Sequence, residues 1–277
     1  MSIYYIVTND LKDPHHEVTN RIKAYLTHHG NQCILSKNDP EGHIIPETVP
    51  EEMDYIIVLG GDGTLIRAAR ELHDYNVPLL GVNLGTLGYL AELEIADLED
   101  GLLKVMHQQV NIETRMMLKA TLSDGREGIA LNDIVVSREG GLRVIHFRIC
   151  VNGMQLNRYQ ADGIIISTPT GSTGYNLSAG GPIVEPTAFM IVITPICSHA
   201  LNTSSIVLSS EDVIEIEIED SQHGIEERAA VSLDGGHFST LITGNRVKIE
   251  CAKKTTKLVK LSKESFLKTM HMKMKGN

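Results

Sequence analysis

Along the first third of the chain, short apolar runs alternate with segments whose apolar positions recur at helical spacing, the pattern of a parallel sheet flanked by helices. Residues 3–7 predict a strand; between residues 14 and 29, Val18, Ile22, Tyr25 and Leu26 predict a helix face, with Gly30 placed to cap its end. Residues 33–35 predict a second strand, and a polar, proline-containing stretch to Pro50 predicts a loop. Residues 55–59 form a strongly apolar run into Gly60-Gly61-Asp62-Gly63-Thr64, with a helix predicted onward to Leu72. Residues 78–82 repeat the strand pattern and end in Asn83-Leu84-Gly85-Thr86-Leu87-Gly88. Past residue 110 the rhythm shortens to strands separated by turn signals, at 118–122, 129–136, 144–151, 163–167, 212–219, 247–251 and 258–261. In the 212–219 segment Ile alternates with Glu, the period of a half-solvated strand. Ser262 and residues 264–270 predict a last helix. The expected organisation is a Rossmann-like α/β domain over residues 1–110, a β-rich domain over 111–260, and a C-terminal helix over 261–277 that packs back on the first domain.

Charge narrows the partners. A formal net charge of −10 over 277 residues argues against extended nucleic-acid or anionic-membrane contact, because neutralising many phosphates needs clustered Lys and Arg. An acidic chain still binds phosphates where backbone N–H groups and a metal ion supply the positive field locally. Cys33, Cys150, Cys197 and Cys251 form no CxxC pair, so neither a zinc site nor a disulfide framework is expected; they read as small buried hydrophobes. His15-His16, His28-His29 and His199 lack metal-ligand spacing. The first residues hold no basic segment followed by a long apolar run, and no stretch of about 18 apolar residues occurs, so a reducing, cytoplasmic setting is expected.

The chemistry-bearing residues concentrate at strand ends. Gly60-Gly61-Asp62-Gly63-Thr64 lies between a strand and a helix, where open α/β sheets bind ligands. Its glycines permit close backbone approach to a phosphate, the helix start favours an anion, and Asp62 can accept a proton from an attacking hydroxyl or help hold a cation. The bland alternative makes Asp62 a helix N-cap. Neither GxGxxG nor GxxxxGK[ST] is present. Asn132-Asp133 sets an amide beside a carboxylate, a pair suited to a ribose diol or an adenine edge, or a plain strand-entry turn. Asp162-Gly163 introduces an apolar strand followed by a Gly-, Ser- and Thr-rich segment through Gly181. Its hydroxyls and backbone donors suit a nucleotide, and Tyr175 can pack on a base or ribose. Asp234-Gly235-Gly236 reads first as a hairpin turn.

In this order the segments 60–64, 83–90 (NLGTLGYL), 132–133, 162–163, 167–181 and 233–235 closely resemble the NAD kinase family. GGDG alone is weakly specific, since diacylglycerol kinases, sphingosine kinases and phosphofructokinases carry related versions; NLGTLGYL and TPTGSTGY are highly specific. The resemblance implies phosphorylation of the 2′-hydroxyl of NAD's adenosine ribose to give NADP, with ATP or inorganic polyphosphate as donor, by a bacterial-type homodimer or homotetramer. It implies that Asp62, beside Gly63, activates the hydroxyl. It further implies that Asn132 and Asp133 hold the ribose or nicotinamide part, that Thr173, Tyr175, Asn176 and Ser178 lie in the adenosine-receiving stretch, and that Asp162 is a contact. Arg67, Arg143 and Gln160 align with further polar contacts. The family commonly has Glu and Ala where this chain has Asp133 and Gly174. Asp is a methylene shorter than Glu, so its reach to a ribose hydroxyl needs a shifted backbone or a bridging water. Phosphoryl transfer rests on positioning and charge neutralisation, so a divalent cation, Mg²⁺ held largely by the phosphates, is expected. The rivals are a lipid or sugar kinase sharing GGDGT and a non-catalytic NAD sensor.

Overall fold

In the computed structural model, residues 1–85, 88–140, 143–198, 204–220, 226–261, 266–267 and 270–271 are described. The chain forms two compact units, one made of residues 1–115 with 255–277, the other of residues 116–254.

The first unit begins with β1 (Ile3–Thr8), α1 (Glu17–His28), β2 (Gln32–Leu35), β3 (Tyr55–Gly60), α2 (Asp62–Glu71), β4 (Leu79–Asn83), β5 (Leu93–Glu94), α3 (Leu98–Met106) and β6 (Asn111–Arg115). Residues 55–60 and 79–83 are buried almost throughout, the signature of strands covered on both faces. β1, β3 and β4 pair in parallel, so Gly60 and Asn83 end side by side at one edge of the sheet. Helix α1 turns Ile22 and Leu26 into the core with Tyr4, Ile6, Ile57 and Leu59. Helix α3 was not anticipated, although Leu98, Leu102 and Val105 do recur at helical spacing and are buried.

The second unit holds β7 (Leu118–Leu122), β8 (Glu127–Ala130), β9 (Asp133–Arg138), β10 (Ile145–Val151), β11 (Met154–Ala161), β12 (Gly163–Ser167), α4 (Tyr175–Ser178), β13 (Met190–Ile196), β14 (Ile206–Ser209), β15 (Ile214–Ile218), β16 (Arg228–Leu233), β17 (Gly236–Ile242) and β18 (Arg246–Cys251). Two antiparallel sheets, ordered β11-β10-β15-β18-β7-β8 and β14-β13-β12-β9-β16-β17, share one core. Phe147, Ile216 and Ile249 from one sheet join Ile134, Ile164, Ile166 and Val231 from the other. The Ile–Glu alternation of β15 buries every Ile and leaves both Glu half-exposed.

The chain then returns as β19 (Thr256–Lys260), which lies between β4 and β6 in the first unit's sheet. This differs from the expected boundary at 260, because a strand's partners cannot be read from its own alternation. The unit boundaries fall at 115/116 and 254/255. The expected final helix lies mostly outside the described residues; within it Phe266 is helical and its ring centroid is 6.4 Å from that of Tyr89. The run 129–136 read as one strand is two, broken at Leu131-Asn132. The cysteines are not the buried hydrophobes expected: Cys33, Cys150 and Cys251 are half-buried and Cys197 is exposed. His199, Thr86 and Leu87 lie outside the described residues.

Candidate active site

Asp62 is the first residue of α2, and Gly61 occupies the cap position in an extended conformation. The carboxylate does not cap its own helix. It reaches across to the next glycine segment, accepting Tyr89 N–H on Oδ2 at 2.6 Å and Leu90 and Ala91 N–H on Oδ1 at 3.1 and 3.4 Å. The two glycine segments are therefore joined through this one side chain, helped by Leu84 N–H donating to Gly60 C=O at 2.8 Å. Gly88 is required by this grip, since a Cβ there would lie 1.9 Å from Asp62 Oδ1. Gly60 is likewise excluded from bearing a side chain by Thr64, whose Oγ1 would be 2.4 Å from its Cβ. Gly63 has open space around it. Three backbone N–H groups fix the orientation of this carboxylate, and Oδ2, which among the described residues accepts only the Tyr89 N–H, keeps a lone pair for a further donor. Arg67, one turn along α2, sets its guanidinium beneath the Gly42 turn, 3.0 Å from where a Gly42 Cβ would be.

The second unit repeats the device. Asp234 sits at φ 49° and Gly235 at φ 80°, both in the left-handed region that a tight hairpin demands, and they join β16 to β17. The hairpin reading was right but incomplete. The Asp234 carboxylate accepts N–H groups from Leu131, Asn132 and Asp133 at 2.9, 2.7 and 3.2 Å. Those bonds hold residues 131–132 out of strand pairing and split β8 from β9. Thr168 locks the same point from the other side, its N–H on Asn132 C=O at 2.8 Å and its hydroxyl on Leu131 C=O at 2.7 Å. Gly171 packs on it so closely that a Cβ would meet Asn132 C=O at 2.2 Å.

Held this way, Asn132 Oδ1 is buried without a hydrogen-bond partner among the described residues, an acceptor suited to a ligand N–H or O–H. Asp133 is buried beside it, and its carboxyl is pushed up to about 7, first by burial and then by the negative charge of Asp234. Thr173 ends a short 3₁₀ turn, half-buried. Tyr175 and Ser178 are exposed on α4. Asn176 faces the other way. It is fully buried, its amide donating to Ser172 and Pro182 carbonyls at 3.1 and 2.9 Å and accepting the Thr194 hydroxyl at 2.7 Å, so it holds the segment rather than presenting a group to a ligand. At Gly174 a Cβ would lie 3.3 Å from Gly171 C=O and 3.8 Å from Asn132 Nδ2.

Arg143, Gln160 and Asp162 are brought together elsewhere. They flank the paired residues Ile145 and Ala161, where β10 meets β11, and Arg143 and Gln160 are exposed. Asp162 is paired with Arg138 at 2.9 Å. Asp133 faces Ser167 at one end of β12, whereas Asp162 precedes the other end. Five residues of strand, about 17 Å, separate the two groups within one chain. Sequence order could not have revealed this, because the strands that carry them run antiparallel. The structural partners Asp234, Gly88 and Thr168 were not singled out as site residues, although each lies in a segment the sequence marks, 233–235, 83–90 and 167–181.

Glycine turns at adjacent parallel strand ends, a carboxylate that joins them and a separate antiparallel unit define an α/β nucleotide-binding enzyme class with a second, β-rich module. A family model for the ATP-NAD kinase N-terminal domain matches residues 7–110, and one for the ATP-NAD kinase C-terminal domain matches residues 131–261. The NAD kinase of Lachnospira eligens is 41% identical over 293 aligned residues, covering 99% of this chain and 100% of that protein. That of Agathobacter rectalis is 43% identical, covering 100% of this chain and 99% of the relative. Among solved structures, an NAD kinase from Archaeoglobus fulgidus in complex with ATP superposes with a TM-score of 0.79 at 26% identity, covering 99% of this chain and 98% of that one. Yeast NADH kinase complexed with NADH superposes with a TM-score of 0.85 at 24% identity, covering 100% of this chain and 88% of that one, a likeness of fold alone. The chain belongs to the ATP-NAD kinase family.

Proposed function

We propose that this protein transfers the terminal phosphoryl group of ATP to the 2′-hydroxyl of the adenosine ribose of NAD, giving NADP and ADP. The observation that carries the reading is the Asp62 carboxylate, fixed by the Tyr89, Leu90 and Ala91 N–H groups between two glycine turns at neighbouring strand ends. In the reaction the hydroxyl oxygen bonds to the terminal phosphorus, the bond from that phosphorus to the bridging oxygen breaks, and ADP leaves. The hydroxyl proton passes to Asp62. The glycine-lined turn and the start of α2 favour the phosphate charge. Asn132 and Asp133 bind the ribose or nicotinamide part, and Thr173, Tyr175 and Ser178 receive the adenosine, with Arg67 as a further polar contact.

Among the described residues no three His, Cys, Asp or Glu side chains converge as a metal cage. The residues present fit a Mg²⁺ ion held mainly by the donor's phosphates, with Asp62 as the protein carboxylate within reach of them. Bound there, the ion would neutralise phosphate charge. Inorganic polyphosphate offers the same phosphate chemistry as a second donor. A cytoplasmic homodimer or homotetramer completes the reading.

An NADP-forming assay with ATP, Mg²⁺ and NAD tests the reaction. Asp62→Asn is expected to abolish NADP formation while NAD binding stays within a few-fold, since the amide cannot take the proton. Near-normal turnover by that variant removes the general-base role.

A further inference from the structure

A cation stands over the same glycine turns. A Cβ on Gly61 would lie 3.0 Å from Lys12 Nζ, and one on Gly85 would lie 3.2 Å from it. The ammonium therefore covers the turn after β3 and the turn after β4 at once. It is placed by the β1–α1 loop. Asn9 N–H donates to Leu59 C=O at 2.9 Å, and the Asn9 amide donates to Thr64 Oγ1 at 3.0 Å, which ties the loop to the end of β3 and the first turn of α2. Lys12 and Asp13 N–H then both donate to Asn9 C=O, at 2.9 and 3.0 Å. The buried Asp13 carboxylate anchors the far side of the loop by accepting Thr19 N–H at 2.9 Å and the Thr19 hydroxyl at 2.7 Å.

Lys12 itself is exposed, and no described side chain forms a hydrogen bond or ion pair with its ammonium. The Asp62 carboxylate at the start of α2 is taken up by the Tyr89, Leu90 and Ala91 N–H groups and makes no ion pair with Lys12, so an ammonium beside the positive end of the helix favours an added anion between them. A phosphate chain satisfies both, taking backbone donors from the turn and a point charge from the lysine.

We infer that Lys12 binds the phosphate chain of the phosphoryl donor, supplying within an acidic protein the positive charge that the glycine turns lack. It is a donor-specific binding residue with no part in holding NAD.

This inference rests on the proposed kinase reaction, so NADP formation by the parent enzyme is measured first; its absence would remove that reading, whereas an active parent lets Lys12 be judged separately. In Lys12→Met the KM for ATP is expected to rise about tenfold or more, the size of a lost charge-assisted contact, with the KM for NAD within about twofold. Lys12→Arg should restore most of the ATP affinity. Any other division, including equal rises in both KM values, a fall in kcat alone or failure of arginine to rescue, overturns the assignment. A second measurement needs no variant: inorganic triphosphate should protect Lys12 of the intact protein from acetylation by an amine-reactive reagent. Labelling of Lys12 at the same rate with and without triphosphate also overturns it.

Discussion

Two aspartates do the same mechanical work in different settings. Asp62 holds the N–H groups of residues 89–91, and Asp234 holds those of 131–133. Each fixes a loop beside which another polar group is presented. At Asp62 the fit is tight, because Gly88 has no room for a Cβ 1.9 Å from Oδ1. Gly88→Ala must displace the carboxylate, and a misplacement of about 1 Å can cost on the order of 100-fold in rate. The expected result is a kcat at least that much lower in a protein whose circular dichroism is unchanged; a kcat within threefold of the parent would show that the position of Asp62 is not what limits the reaction. At Asp234, burial first and then the neighbouring charge push the Asp133 carboxyl up to about 7. The folded pKa lies above the unfolded value of 3.8, so folding takes up a proton between them. The stability contributed by this group is complete below 3.8 and is lost as pH rises through about 7. Asp133→Asn removes that dependence. Urea midpoints at pH 5 and pH 8 should move in favour of the variant at the higher pH, at up to roughly 1.4 kcal/mol per unit of pKa difference. A parent-to-variant difference that is flat with pH would contradict it.

At the scale of elements, the sequence reading and the structure part company over what a polar segment is for. The Gly-, Ser- and Thr-rich stretch is ordered, its residues 170–173 a 3₁₀ turn and 175–178 the helix α4, with Tyr175 and Leu177 exposed on it. Which of its side chains face inward was not legible. Asn176 is the buried peg of the segment, with Ser172 beside it donating to Pro169 C=O at 2.7 Å. Asn176→Ala takes the amide donor from the Ser172 and Pro182 carbonyls and one of two partners from the Thr194 hydroxyl, which keeps Ser205, and losses of this kind cost about 1–3 kcal/mol per unsatisfied group. A total destabilisation of roughly 2–4 kcal/mol in denaturant unfolding is expected. A loss below about 1 kcal/mol would mean that the segment is held by something else. The broken strand at 131–132 has the same origin: its apolar residues read as continuous, and only a carboxylate about a hundred residues later interrupts it.

At the scale of the molecule, the second unit is one uninterrupted stretch of chain with its own core, whereas the first needs both ends of the chain. Residues 116–254 expressed alone should fold and unfold cooperatively in urea. Residues 1–115 alone should not, since β19 is missing from between β4 and β6. A non-cooperative 116–254 fragment, or a stable 1–115 fragment, would count against this division. Local pattern by itself determined the alternation of strands and helices, the α/β-then-β order, an aspartate in a glycine turn between strand and helix and the family, because periodicity, turn chemistry and motif spacing are carried by neighbouring residues. Only the tertiary structure decided that Asp62 grips residues 89–91, that Asp234 supports Asn132, that Asp162 lies a strand's length from Asp133, and that Lys12 stands over the two glycine turns. Those relations arise from pairing and hydrogen bonding between segments far apart in sequence, which no local pattern encodes.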